Sequence, residues 1–288
     1  MSRDIGIYYA FWADSWEADF MPYIDRVKKL GFDQLEVHAA VILRMGDTKR
    51  QKLKKAADDR GIELSCGIGL TADMDVSSLD EAIRLRGVDF MKDIIRAVGS
   101  IDGKMISGTV HSYWPAVPPK GMIDKTPVWE QSIKSMRELV KVAEECEVIL
   151  NVEVINRFEQ FLLNTCEEAV KYVKEIDSPW CRILLDTFHM NIEEDSIGGA
   201  IKLAGPYLSE LHIGETNRKP PGCGRMPWDE IKRGLDSIGF DGPLVMEPFV
   251  RPGGEVGWDI AVWRDLMPGA DLDEEALKSV KFVRETLA

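Results

Sequence analysis

Four residues in the second half of the chain have the types and spacing of a metal-centred site. Glu153 in LNVEVIN, Asp186 in ILLDTFH, His212 in ELHIGE and Glu247 in LVMEPF follow one another at intervals of 33, 26 and 35 residues. Three carboxylates and one imidazole make a hard-to-borderline donor set, suited to Mn²⁺, Mg²⁺ or Co²⁺ rather than to a thiolate-seeking ion. Any one of them alone would read as a strand-end acid capping a helix or meeting an arginine. Four in a row, each about one strand–helix unit from the next, call for a common rim.

Other polar residues lie close to these four in sequence. Glu159 follows Glu153 by six residues in NRFEQ, His189 follows Asp186 by three, and Arg218 stands in GETNRKPPG shortly after His212. Their nearness to the ligand set makes them candidate substrate contacts. In the first half, Tyr8, Trp16, Cys66 and Trp114 fall at or beyond strand ends, where aromatics could form the apolar wall that a sugar requires. His38 and His111 also end strands and read as ordinary rim histidines. Cys223, in Gly-Cys-Gly, has no neighbouring base and is not a candidate nucleophile.

The elements that must position these residues alternate along the chain. Short apolar or β-branched runs predict eight strands, at Ile5–Ala10, Gln34–His38, Leu64–Ile68, Met105–Val110, Val148–Val154, Cys181–Asp186, Tyr207–Ile213 and Leu244–Glu247. Helical periodicity fills Met21–Leu30, Thr48–Asp59, Leu79–Val98, Thr126–Glu145, Cys166–Glu175, Trp228–Ser237 and Asp273–Leu287. An average of about 36 residues per unit suits an α/β fold of the (β/α)8 TIM-barrel type, whose site gathers at the C-terminal ends of the strands. Runs such as RILLD lack strict alternation, as expected of parallel strands covered on both faces. Thr126-Pro127 reads as N-cap and first helical residue, and Gly31 and Gly61 as C-caps. No composition shift marks a boundary, so residues 1–288 read as a single barrel domain. Three Gly- or Pro-rich stretches, Tyr113–Lys125, Gly214–Pro227 and Phe249–Trp263, read as functional loops. A doubly wound open sheet is disfavoured, because no G-x-G-x-x-G follows a strand.

Composition narrows the partners. The 288 residues carry 36 Lys+Arg against 49 Asp+Glu, a formal charge of −13, with 45% hydrophobic and 30% charged residues. That balance describes a globular chain and argues against nucleic acid and anionic membranes as partners. The opening MSRDIGIYYAFW lacks the sections of a signal peptide. Five scattered cysteines, with no C-x-x-C pair, suit a reducing compartment. A cytoplasmic enzyme of small molecules is the expectation.

The segments EVINRFEQ, LLDTFHMN, HIGETNRKPPGCGRMPW and MEPFVRPGGEVGWDIAVWRDL resemble the D-tagatose 3-epimerase and D-psicose (D-allulose) 3-epimerase family. GIYYAFW and SCGIGLTADMDVSS resemble that family's opening, so the likeness runs over essentially the whole chain. The resemblance implies a xylose-isomerase-like TIM barrel that inverts C3 of free ketohexoses (D-fructose/D-allulose, D-tagatose/D-sorbose) with one divalent ion, Mn²⁺ or Co²⁺, or Mg²⁺. It implies metal ligands at Glu153, Asp186, His212 and Glu247, with Glu153 and Glu247 as catalytic acid–base pair. Substrate contacts are implied at Glu159, His189 and Arg218, and at Tyr8, Cys66, Trp16 and Trp114. A homodimer or homotetramer is implied as well. Thr216 and Cys223 depart from the family's usual residues. The rival expectations are a ketose–aldose isomerase or inosose-type dehydratase of the same fold, and a non-catalytic sugar-binding barrel. An endonuclease IV-like enzyme is disfavoured by only four histidines and the acidic balance.

Overall fold

The structure, a computed structural model, describes residues 3–122 and 124–287. Eight parallel strands close into a barrel in chain order: β1 (Ile5–Tyr8), β2 (Gln34–His38), β3 (Glu63–Gly69), β4 (Met105–Thr109), β5 (Ile149–Val154), β6 (Cys181–Asp186), β7 (Leu208–Ile213) and β8 (Leu244–Met246). β1 pairs with β8 as well as β2, with Ile7 opposite Met246, so no edge is left open. Eleven α-helices interleave with these strands among the described residues: α1 (Met21–Leu30), α2 (Ala39–Arg44), α3 (Asp47–Arg60), α4 (Glu81–Gly99), α5 (Thr126–Cys146), α6 (Cys166–Ile176), α7 (Thr187–Glu193), α8 (Ile197–Ala204), α9 (Trp228–Ser237), α10 (Gly254–Asp259) and α11 (Leu272–Thr286). This is the (β/α)8 barrel that the strand count predicts. None of these helices is long and apolar enough to cross a membrane.

Period-2 alternation divides each strand between two environments. Ile5, Ile7, Leu35, Val37, Ile106, Leu150 and Val152 are fully buried in the apolar shell shared with the helices. The intervening residues face the barrel interior and meet across it: Glu36 on β2 reaches His212 on β7, and Ser107 on β4 and Asn151 on β5 both donate to Glu210 on β7. The interior is therefore unusually polar, and its upper layer is made of the site residues.

Several boundaries depart from the sequence expectation. β1 stops at Tyr8 because Tyr9–Phe11 turn into a 3₁₀ helix. Thr126 is the first residue of α5 rather than its cap; Lys125 takes the cap position without a side-chain bond, and the Thr126 N–H donates to Asp124 Oδ1 at 2.9 Å. Gly31 and Gly61 do end α1 and α3 in the left-handed region, at φ 88° and 58°. The short helices α2, α7, α8 and α10 were not expected, and α10 lies inside the predicted loop Phe249–Trp263.

Candidate active site

Glu153 sits one residue before the end of β5, His212 one before the end of β7, and Glu247 directly after β8. Asp186 ends β6 and also caps α7, accepting from Phe188 N–H at 2.7 Å. The barrel thus brings all four predicted ligands to one rim, where one donor atom of each lies within 4.8 Å of the others. Nδ1 of His212 is buried without a hydrogen-bond partner and lies 3.7 Å from Glu247 Oε2. A partnerless imidazole nitrogen facing three carboxylates, two of them buried, fits a divalent cation by donor type and by spacing.

Arg218 lies between two of the carboxylates, with Nη1 donating to Asp186 Oδ2 at 2.7 Å and to Glu247 Oε2 at 2.8 Å. This splits the two glutamates. Burial, reinforced by the neighbouring Glu247, raises the Glu153 carboxyl well above its ordinary range. Burial also acts to raise Glu247, but Arg218 and His212 outweigh it and hold that carboxyl down at about 2. Asp186 is pushed up to about 6, chiefly by burial and against the pull of Arg218. His212 is raised despite its burial, because Glu36 and Glu247 flank it.

Arg218 adopts φ 64°, a left-handed conformation uncommon outside glycine. Its guanidinium stacks over Phe188 at 4.1 Å and Phe249 at 5.4 Å. The loop that presents it winds around the buried Glu215 carboxylate, which accepts from Gly222 N–H (2.8 Å), Met226 N–H (2.9 Å) and Trp228 Nε1–H (3.2 Å). A second chain of contacts orients His189. Asn156 accepts from Phe158 N–H through Oδ1, which turns its Nδ2 toward both Glu159 Oε1 and His189 Nδ1, each at 2.8 Å. His189 Nδ1 therefore faces a donor, and so does Nε2, which lies 3.2 Å from Arg218 Nη2 and 3.7 Å from Glu153 Oε1. Burial and the adjacent Arg218 keep the imidazole neutral, well below its ordinary value. Trp114 donates through Nε1 to Glu159 Oε2 at 3.1 Å, completing the chain.

These groups line a cavity of about 680 Å³, within the range of small-molecule sites. Tyr8, Trp16 and Trp114 are on its wall, as predicted, with Phe249 edge-on to Tyr8. Its roof includes a clasp between the β1 loop and α10: Trp16 Nε1–H donates to Asp259 at 2.8 Å, Ser15 to Glu255 at 2.9 Å, and Val256 N–H to the Asp14 carbonyl at 3.1 Å. Cys66 is the correction among the predicted contacts. It is fully buried in the apolar shell, and the β3 residue that lines the cavity is its neighbour Gly67. The alternation of the strand turns Ser65 and Gly67 inward and Cys66 outward. His38 lines the cavity, whereas His111 is wholly buried beside Tyr172, both ring nitrogens unpartnered, and burial lowers its value to about 3. Cys223 is exposed.

Glu36, Asn156 and Glu215 were missed from sequence. Asn156 had a signal, being three residues past Glu153 within EVINRFEQ. Glu215, in HIGETN, looks like a solvated loop acid, and Glu36, in QLEVH, like the solvent-facing residue of an alternating strand.

Comparison with known proteins matches the same residues to a defined group. The profile described as xylose isomerase-like TIM barrel matches residues 24–285. The D-psicose 3-epimerase of Ruminiclostridium cellulolyticum is 50% identical over 285 residues, spanning 98% of this chain and 97% of its own. The D-psicose 3-epimerase of Agrobacterium fabrum is 44% identical, with 98% of each chain covered. Among solved structures, D-psicose 3-epimerase with D-tagatose from Clostridium cellulolyticum superposes with a TM-score of 0.96 at 49% identity, covering 99% of both chains.

Proposed function

Since the chain belongs to the xylose isomerase-like TIM-barrel family and is a ketose 3-epimerase, we propose that it inverts C3 of free ketohexoses with Glu153 and Glu247 as its two acid–base groups. The pairs D-fructose/D-allulose and D-tagatose/D-sorbose are its substrates in this reading, in line with the D-psicose 3-epimerases it is similar to. The observation that carries the mechanism is the convergence of Glu153 and Glu247, from β5 and β8, in one four-donor cluster beside Arg218 and His189.

When held by Glu153, Asp186, His212 and Glu247, a divalent ion, Mn²⁺ or Co²⁺ with Mg²⁺ as a further option, supplies a Lewis acid that makes the hydrogen beside the ketone acidic enough to remove. One of Glu153 and Glu247 takes the C3 proton, and the other returns one to the opposite face of C3. For the reverse conversion the two exchange roles. Arg218 donates to O2 and offsets negative charge that develops there. His189 and Glu159 hold the hydroxyls at the C1–C2 end. Tyr8, Trp16 and Trp114 cover the far end of the sugar.

Charge on the cavity wall favours an unphosphorylated sugar. Glu17, Glu36, Glu153, Glu159, Glu247, Glu255 and Asp259 line it against Arg44 and Arg218, and Arg44 is itself paired with Glu17. A phosphate would meet net repulsion there. We also read the protein as cytoplasmic and as a homodimer or homotetramer. The exposed, edge-packed pair Trp258 and Trp263, ring centroids 5.1 Å apart, offers such an assembly an apolar face.

Metal-stripped protein incubated with D-fructose, D-allulose, D-tagatose or D-sorbose, with Mn²⁺, Co²⁺, Mg²⁺ or chelator, tests the reading by chromatography of the products. Metal-dependent passage of fructose to allulose, or tagatose to sorbose, is the expected result. An aldose product would move the chemistry to ketose–aldose isomerisation, and turnover undiminished by chelator would remove the ion from the mechanism. Light scattering after gel filtration tests the oligomer; a monomeric mass would overturn it.

A further inference from the structure

We propose that Glu36, on β2, is the positioning residue for His212: it accepts from Nε2–H and so commits Nδ1 of that ring to the metal. The proposal rests on the metal-dependent reading above. Three separate observations carry it.

Glu36 Oε2 lies 3.1 Å from His212 Nε2, across the barrel, and both side chains are almost wholly buried. The other ring nitrogen has no partner and faces the carboxylates of the ligand set. An imidazole whose one N–H is committed to a carboxylate has its remaining lone pair and its ring plane fixed, and such partners also raise the ring's basicity as a ligand. The third observation is a space made for Glu36. A Cβ on Gly67, an inward residue of β3 two positions past Ser65, which pairs with Glu36, would come within 2.7 Å of Glu36 Oε1. Its next neighbour, Tyr8 Cε2, would be at an ordinary 3.4 Å, so the missing side chain at Gly67 clears room for one carboxylate oxygen in particular. Glu36 takes no part in the four-donor cluster. It can also be grouped with Glu210 and His212 as a three-donor set, with ligand atoms within 4.8 Å of one another. However, the 3.1 Å approach of Nε2 to Oε2 is that of a hydrogen bond between the two groups, which leaves no room for an ion between them.

Mn²⁺ titrated calorimetrically into EDTA-stripped protein tests this, with circular dichroism of the metal-free form as the control for folding. Glu36→Leu removes the acceptor and should weaken Mn²⁺ binding about 10–100-fold, the range for loss of such a partner. Glu36→Gln keeps an acceptor oxygen and should recover part of that loss. Gly67→Ala leaves Glu36 in the chain but displaces its carboxylate, and should weaken the ion in the same sense. Nitrogen-15 spectra of the Mg²⁺-loaded protein should show His212 protonated at Nε2 in the unaltered chain and mixed in Glu36→Leu. Wild-type affinity in Glu36→Leu, ligation through Nε2, or two ions per chain would each overturn the proposal while leaving the metal reading intact. An unaltered chain that takes up no ion would overturn both.

Discussion

At the scale of single residues, the site separates groups that touch substrate from groups that aim them. Glu153→Gln and Glu247→Gln should each cut turnover by at least about 10²–10⁴-fold, the ordinary contribution of a placed acid or base, while sugar binding survives in part. Full activity in both would end the two-glutamate scheme. Asn156 belongs to the second group, because its Nδ2 holds both Glu159 and His189. Asn156→Leu should free both side chains, lower kcat/KM about tenfold or more, the scale of a lost buried hydrogen bond, and lower the melting temperature as well. An unchanged kcat/KM would show that neither side chain depends on it. The ligands were legible in sequence because each is a polar residue interrupting an apolar strand end, and four strands repeat the interruption. Glu36 was not legible for a physical reason: an acid in an alternating strand faces either water or a barrel interior, and only closure of the ring decides which. Cys66 shows the converse, since a one-residue change in register exchanges the two faces of a strand.

Among the elements, the loop from β7 to α9 depends on one carboxylate. Glu215 satisfies three N–H donors from residues up to thirteen positions away, and the Arg218 N–H closes back on its carbonyl at 3.0 Å. Glu215→Ala would leave the three donors buried without a partner, at a cost of about 3 kcal/mol or more. We expect a lower melting temperature and cleavage by protease within residues 214–227, together with loss of activity as Arg218 leaves its left-handed conformation. Glu215→Ala with wild-type stability would contradict this account. The predicted loop here was correct in extent, but its rigidity was invisible, because the turn partners are set by a side chain that looks solvated. The long helices were legible from their periodicity and their terminal glycines. Helices α2, α7, α8 and α10 have six to eight residues, too few for a period of 3.6 to stand out from a loop.

Over the whole molecule, a barrel interior crowded with carboxyls sets a pH dependence. Burial and the nearby Glu36 push Glu210 up to about 7, and His212 is raised as well. A raised group holds its proton more tightly in the folded chain, so its contribution is complete at low pH and is lost as pH rises through the folded value. His38 and His111, lowered by burial to about 4 and about 3, act in the opposite sense, but only below their ordinary value of 6.5. From pH 6.5 to 8 the raised groups therefore prevail. Metal-free protein should lose stability over that interval, read as a fall in melting temperature. The stabilisation given by Mn²⁺ should be larger at pH 8 than at pH 6, because ligands must release protons to bind. A metal-free melting temperature that climbs from pH 6.5 to 8 would refute the assignment. The clasp over the cavity bears on how the chain assembles. Trp16 and Asp259 are 243 positions apart, and Gly254, at φ 63°, lies so close to Asp14 that a Cβ would stand 2.2 Å from its carbonyl oxygen. All four proposed ligands lie on β5 to β8, so a chain with only that half in place could already gather carboxylates around an ion. It would have no roof. Retention of a sugar is thus a property of the completed ring, acquired when the earliest loop and the latest one meet.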